Sequence, residues 1–230
     1  QPILENVSRR NLLKGVVATG GFVLAAQFVP RSADAAYKTG ADGMPGGAVW
    51  DPHVFVSIDP SGIVTIVTHR SEMGTGSRTS LPMVVADEME ADWAKVRIIQ
   101  APGDEQKYGN QDTDGSRSIR HFTQPMRACG AAARQMLERA AALKWGVSDA
   151  DCHAMNHKVV HAGTGRSLGF GELAAAAAAL PTPKANTLTL KDPSQFRYIG
   201  KGKVQITDMH NITTGKANYG QDATLPGMKF

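Results

Sequence analysis

Cysteine is scarce in this chain, and the scarcity narrows the field. Only Cys129 and Cys152 occur among 230 residues, and neither has a Cys-x-x-Cys neighbour or a histidine at metal-ligand spacing. One disulfide is open to them in principle, but both read better as small buried hydrophobes. No basic run is interleaved with aromatics, so the sequence carries no footprint for nucleic acid, which is not expected as a partner. The histidines form no His-Glu-x-x-His pattern. The apolar run over residues 15–28 falls short of the roughly 20 residues that a membrane span needs.

What is present supports a folded domain. The hydrophobic share of 42% is ordinary for a globular protein and allows a core. The formal net charge is +4, to which residues 1–35 contribute four basic residues and two acidic ones, so the remainder is only weakly basic. A solvated surface explains that balance.

Ser8-Arg9-Arg10-Asn11-Leu12-Leu13-Lys14 precedes the apolar run, and Ala33-Asp34-Ala35 follows it. Paired arginines, a moderately apolar stretch containing glycine and a small-x-small site together read as a twin-arginine export signal over residues 1–35. That route carries folded proteins, often with a cofactor already inserted, so a periplasmic protein with a cofactor is expected. Residues 36–49 are glycine-rich and aperiodic, as a linker would be.

Beyond the linker the pattern is α/β. Residues 54–58 and 63–67 are β-branched runs joined by Asp59-Pro60-Ser61-Gly62, which predicts a hairpin. Helical spacing over 80–89, with Pro82 expected in the first turn, is followed by a strand over 96–100. A long polar loop leads to a helix over 125–145, closed by Gly146, whose small residues at 130–133 suit close packing on a sheet. A strand at 158–161 and an alanine-rich helix at 170–180 complete the unit. Residues 181–212 read as a linker, and 213–230 as a strand-like start cut off in its middle, so that an amino-terminal piece of a longer protein is expected.

Two turns carry the chemistry. Glu72-Met73-Gly74-Thr75-Gly76 and Thr113-Asp114-Gly115-Ser116-Arg117-Ser118 each lead towards a predicted helix. A helix start leaves backbone N–H groups unpaired and glycine lets an anion approach them, so two such starts form a candidate pyrophosphate cradle. Glu72 reads as a partner for Arg78 or for a backbone donor rather than as a general base, and His69 and His121 flank the turns.

These turns, with Ala86-Asp87-Glu88 and Tyr108-Gly109-Asn110-Gln111, resemble the molybdenum-binding large subunit of the xanthine dehydrogenase and aldehyde oxidase superfamily. Within it they look most like the exported branch with isoquinoline 1-oxidoreductase and the membrane-bound aldehyde dehydrogenases. The resemblance implies an α/β fold: part of a molybdopterin-binding domain, with a mixed sheet and packed helices, over 50–180, followed from 213 by the first strand of an α/β-hammerhead domain. It implies molybdopterin cytosine dinucleotide with molybdenum, held by Gly74, Thr75, Gly76, Thr113, Gly115, Ser116 and Ser118. Many relatives carry Gln where this chain has Thr75. The implied reaction is oxidation of an aldehyde to a carboxylic acid or hydroxylation of an N-heterocycle. The implied partners are a small subunit with 2Fe–2S clusters and a multihaem cytochrome c, the latter a route to the cytoplasmic membrane. The family's catalytic glutamate lies beyond this sequence, so no catalytic residue is assigned, and no metal ligand.

Two other readings stay in view. A Rossmann nucleotide site would use Gly74-x-Gly76-x-x-Thr79, but lacks the third glycine and an acidic residue at the end of the next strand. An exported binding or assembly module would use the polar loop for contact alone and would carry neither molybdenum nor pterin.

Overall fold

The computed structural model describes residues 48–229, so the export signal, nearly all of the first linker and Phe230 lie outside the described residues. Asp51 caps a short helix α1 (Pro52–Phe55) by accepting from His53 N. The predicted hairpin follows as β1 (Val56–Ile58) and β2 (Val64–Thr68), antiparallel, with Ile58 opposite Val64. Helix α2 (Ser77–Met89) then crosses to β3 (Val96–Gln100), which runs parallel to β2 with Val64 opposite Val96 and Thr68 opposite Gln100. The sheet is therefore mixed, in the order β1-β2-β3. Buried and half-buried residues alternate along β2, as expected of a strand with one face on the core.

α2 starts a turn earlier than its apolar spacing predicts. Gly76, in the left-handed region at φ 78°, turns the chain into it. Pro82 consequently sits in the second turn rather than the first, where its ring removes the N–H that would have reached the Arg78 carbonyl.

Two one-turn helices, α3 (Glu105–Tyr108) and α4 (Arg117–Arg120), interrupt the polar loop before the long helix α5 (Thr123–Trp145), which ends at left-handed Gly146. Gly130 of α5 faces α2, not a sheet. A Cβ there would lie 2.6 Å from the Val85 carbonyl oxygen and 2.7 Å from the Glu88 Cβ, so the small residues serve a close helix–helix crossing. Leu81, Val85 and Met89 of α2 meet Met126, Cys129 and Leu137 of α5 in one core with Phe55 and Ile66. Cys129 and Cys152 are both free and buried.

A second sheet of antiparallel β4 (Cys152–Met155), β5 (Lys158–His161) and β6 (Ser167–Gly169) packs beside α5 and leads into α6 (Phe170–Ala178). Strands β4 and β6, too short to show a period, were not predicted. His157 ties the sheets together: one ring nitrogen meets the Gly62 carbonyl at 2.7 Å and the other accepts from Asp92 N at 3.1 Å.

The expected linker after residue 180 is bound down along α2. Lys191 Nζ is buried against Asp87 Oδ1 at 3.0 Å and Glu90 Oε1 at 2.5 Å. The Asp87 carboxylate also accepts from the backbone N–H groups of Arg197, Tyr198 and Ile199. The strap then runs back to the start of α2, where Thr207 N donates to Thr79 Oγ1 at 2.8 Å and Arg78 meets Asp208 at 3.5 Å. No strand forms over the carboxyl-terminal stretch that was expected to open a hammerhead domain. α7 (Met209–Thr213) leads into it, and its described residues form a short turn at Gly220–Asp222 and irregular chain that pairs with neither sheet.

Candidate functional site

The parallel pairing of β2 and β3 decides where the two turns meet. Both strands end on the same side of the sheet, at Thr68 and Gln100, so the chain segments that follow each of them, 69–76 and 101–118, leave side by side. In open α/β sheets the crevice beyond the carboxyl ends of parallel strands is the usual place for a ligand.

Arg70 locks the two turns together. Its side chain is fully buried, with the guanidinium 4.5 Å above the Phe122 ring. Nε donates to Ser118 Oγ at 3.1 Å and Nη1 to the Asn110 carbonyl at 2.7 Å and to the Asn110 side-chain oxygen. Next to it, Thr113 Oγ1 donates to the Ser71 carbonyl at 2.6 Å. Gln111 bridges the loop to β2 by donating to the His69 carbonyl at 3.2 Å. Arg70 Nη2 has no partner among the described residues. A buried guanidinium nitrogen left unpaired is costly, so this group is short of one acceptor.

The first turn has a different balance. The Glu72 carboxylate accepts from Gly74 N at 2.7 Å, Gly76 N at 3.0 Å and Arg78 N at 3.0 Å, and from the Thr75 hydroxyl at 3.3 Å. Burial alone would raise its pKa, but the N–H groups of Arg78, Gly76, Gly74 and Thr75 outweigh that and hold it below the ordinary carboxylate value. The reading of Glu72 as a backbone partner is borne out, whereas an ion pair with the Arg78 side chain is not, since that side chain turns to Asp208. The predicted cradle is corrected on one point: the N–H groups expected to be free at the start of α2 are taken, those of Gly74, Gly76 and Arg78 by this carboxylate and that of Ser77 by the Thr75 hydroxyl.

The seven sequence-predicted residues therefore divide. Gly74 at φ 96° and Gly76 at φ 78° have open space where a side chain would be, but their N–H groups face Glu72. Thr75 is exposed and its hydroxyl lies against Glu72 and Ser77. Gly115 and Ser116, both at positive φ, are exposed, while Ser118 is buried on Arg70 and Thr113 is half-buried on Ser71. Space over three glycines, hydroxyls on the second turn and an arginine nitrogen short of an acceptor fit an oxygen-rich cofactor lying across the turns, with its anionic part nearer the second. His69 does not face such a ligand: its ring is wedged between Phe55 and Phe122, at centroid distances of 5.2 and 4.7 Å. Among the described residues no group of three or more His, Cys, Asp or Glu side chains is placed to hold a metal ion, and no helix is long and apolar enough to cross a membrane.

Sequence reasoning passed over Arg70, Asn110 and Gln111 as working residues. The signal available was positional: Arg70 lies two residues past Thr68, in step with the buried positions Val64, Ile66 and Thr68 of the β-branched strand, so it continues inwards and must find acceptors there.

Residues 32–220 match a family model described as the molybdopterin cofactor-binding domain. The chain is 31% identical, over its whole length, to the beta chain of isoquinoline 1-oxidoreductase from Brevundimonas diminuta, of which it covers 33%. It is 33% identical, over 98% of its length, to a membrane-bound aldehyde dehydrogenase (pyrroloquinoline-quinone) of Gluconacetobacter polyoxogenes, of which it covers 29%. The chain thus spans about a third of the length of these two relatives. Among solved structures, quinoline 2-oxidoreductase from Pseudomonas putida 86 superposes on 56% of this chain, and 17% of its own, with a TM-score of 0.44 at 22% identity.

Proposed function

Because this chain belongs to the molybdopterin cofactor-binding domain family, we propose that it supplies one wall of the cofactor site in an exported molybdenum hydroxylase large subunit. The cofactor is molybdopterin cytosine dinucleotide with molybdenum. The substrate is an aldehyde, oxidised to a carboxylic acid, or an N-heterocycle, hydroxylated on carbon. The electrons leave through 2Fe–2S clusters in a small subunit and a cytochrome c with several haems, at or near the periplasmic face of the cytoplasmic membrane. The observation that carries the reading is the Arg70 lock, which holds two glycine-bearing turns together beyond the ends of β2 and β3.

When bound, the cofactor supplies the redox chemistry. The residues of this chain bind and orient. Gly74, Gly76 and Gly115 leave room for close approach, Thr75 presents a hydroxyl, Ser116 and Ser118 offer hydroxyl oxygens and protons to phosphate or pterin atoms, and Thr113, whose proton goes to the Ser71 carbonyl, offers its oxygen. Arg70 contributes a fixed positive charge behind Ser118, which favours an anion on that side. No residue of the chain is assigned to proton abstraction.

The test is analysis of the full-length gene product from the exported fraction for molybdenum, pterin and the nucleotide released by mild acid. Equal amounts of molybdenum, pterin and CMP support the reading and call for aldehydes and N-heterocycles to be compared as substrates. Absence of metal and pterin leaves the binding or assembly module as the better account.

A further inference from the structure

The start of α2 poses a question of donor accounting. A helix start leaves N–H groups at its first turn that a capping side chain, water or an external anion satisfies. Here Glu72 satisfies one of them from inside, Arg78 N at 3.0 Å, and also holds Gly76 N at 3.0 Å and Gly74 N at 2.7 Å just before the helix, while Ser77 N donates to the Thr75 hydroxyl at 3.4 Å. Neither arginine near it in sequence pairs with Glu72: Arg70 is turned to Ser118 and Asn110, and Arg78 to Asp208. The carboxylate is half-buried, and its other contact is the Thr75 hydroxyl.

We propose that Glu72 is a positioning residue: a permanent internal anion that closes the start of α2 to phosphate, fixes the loop through Gly74 and Gly76, and orients the Thr75 hydroxyl. The proposal rests on the cofactor reading above and deepens it. The first turn then meets an uncharged part of the cofactor by shape and hydroxyl, and phosphate groups lie towards Gly115, Ser116 and Ser118. Two positive-φ glycines are required because the chain must curl tightly enough around one carboxylate for residues 74, 76 and 78 all to donate to it.

Hydrogen exchange in the cofactor-free, full-length protein tests this without any turnover. In the wild type, amides across residues 74–78 exchange slowly, and millimolar inorganic phosphate changes nothing. In Glu72→Ala they exchange about ten- to a hundredfold faster, as expected for the loss of hydrogen bonds to a charged acceptor, and acetate restores part of the protection. Glu72→Gln, which keeps one acceptor oxygen, falls between. The idea is overturned if phosphate itself protects these amides in the wild type, which would mean that the carboxylate yields to a ligand, or if Glu72→Ala exchanges like the wild type. Molybdenum content is measured separately on the protein as isolated. A wild type without molybdenum sinks the cofactor reading, while the exchange result decides the role of Glu72 by itself.

Discussion

Lowering the pH from about 7 to about 5 perturbs one buried group in a calculable way. His69 is fully buried between two phenylalanines, and both of its ring nitrogens lack partners among the described residues. Burial first, and the adjacent Arg70 charge second, push its pKa from the ordinary 6.5 down to about 3. Over the interval between those two values the unfolded chain takes up a proton that the folded chain refuses, so folding loses stability as pH falls below 6.5. At about pH 5, roughly 1.5 pH units below the unfolded value, the loss is about 2 kcal/mol at roughly 1.36 kcal/mol per unit. Denaturant midpoints of the wild type and of His69→Phe, read at both pH values, isolate that slope. The phenylalanine variant carries any packing offset equally at both, so only the pH-dependent difference counts. An equal slope in the two proteins, or a His69 imidazole seen by NMR to titrate near 6.5, would mean that His69 is not the source of the acid sensitivity.

Three further outcomes are expected. Gly130→Ala forces a Cβ to within 2.6 Å of the Val85 carbonyl oxygen, and overpacking of this kind costs about 1–3 kcal/mol, seen as a lowered melting temperature. Asp87→Asn leaves Lys191 with Glu90 as its one carboxylate and removes the charged acceptor of three strap N–H groups, at a cost of about 1.5–3 kcal/mol, and limited proteolysis within the strap over 187–199 accelerates. In the wild type, burial would raise the Asp87 pKa, but the N–H groups of Ile199, Tyr198 and Arg197 and the Lys191 ammonium prevail and lower it, so this hold on the strap is complete above the ordinary 3.8 and is lost as the pH falls below it. Arg70→Lys keeps the charge but not the fork that spans Ser118 and Asn110. Hydrogen exchange over residues 110–118 quickens, and the molybdenum content of the full-length protein falls several-fold.

Periodicity and turn chemistry made much of the scaffold legible. The hairpin around Asp59-Pro60-Ser61-Gly62, the strand before Ala101 and the helix closed by Gly146 all follow from local residue types, and the structure bears them out. What local pattern could not express was pairing at a distance. The strap after residue 180 is polar and proline-bearing, as a linker is, yet Lys191 and Arg197 reach acidic groups roughly a hundred positions away on α2. The start of α2 was displaced for a similar reason: its first turn is set by Glu72 and Gly76, which carry no apolar signal. At the site, the two turns were legible as glycine- and hydroxyl-rich segments. Their junction was not, because it runs through Arg70, whose burial is a property of the strand that carries it.

Both turns are expected to touch one cofactor. A cryo-EM map of the full-length protein, purified with its cofactor, tests this most directly. Cofactor density is expected against Gly74, Thr75 and Gly76 on one side and against Gly115, Ser116 and Ser118 on the other, with Glu72 still on the amides of Gly74, Gly76 and Arg78. Density remote from both turns, or phosphate in place of the Glu72 carboxylate, would contradict it.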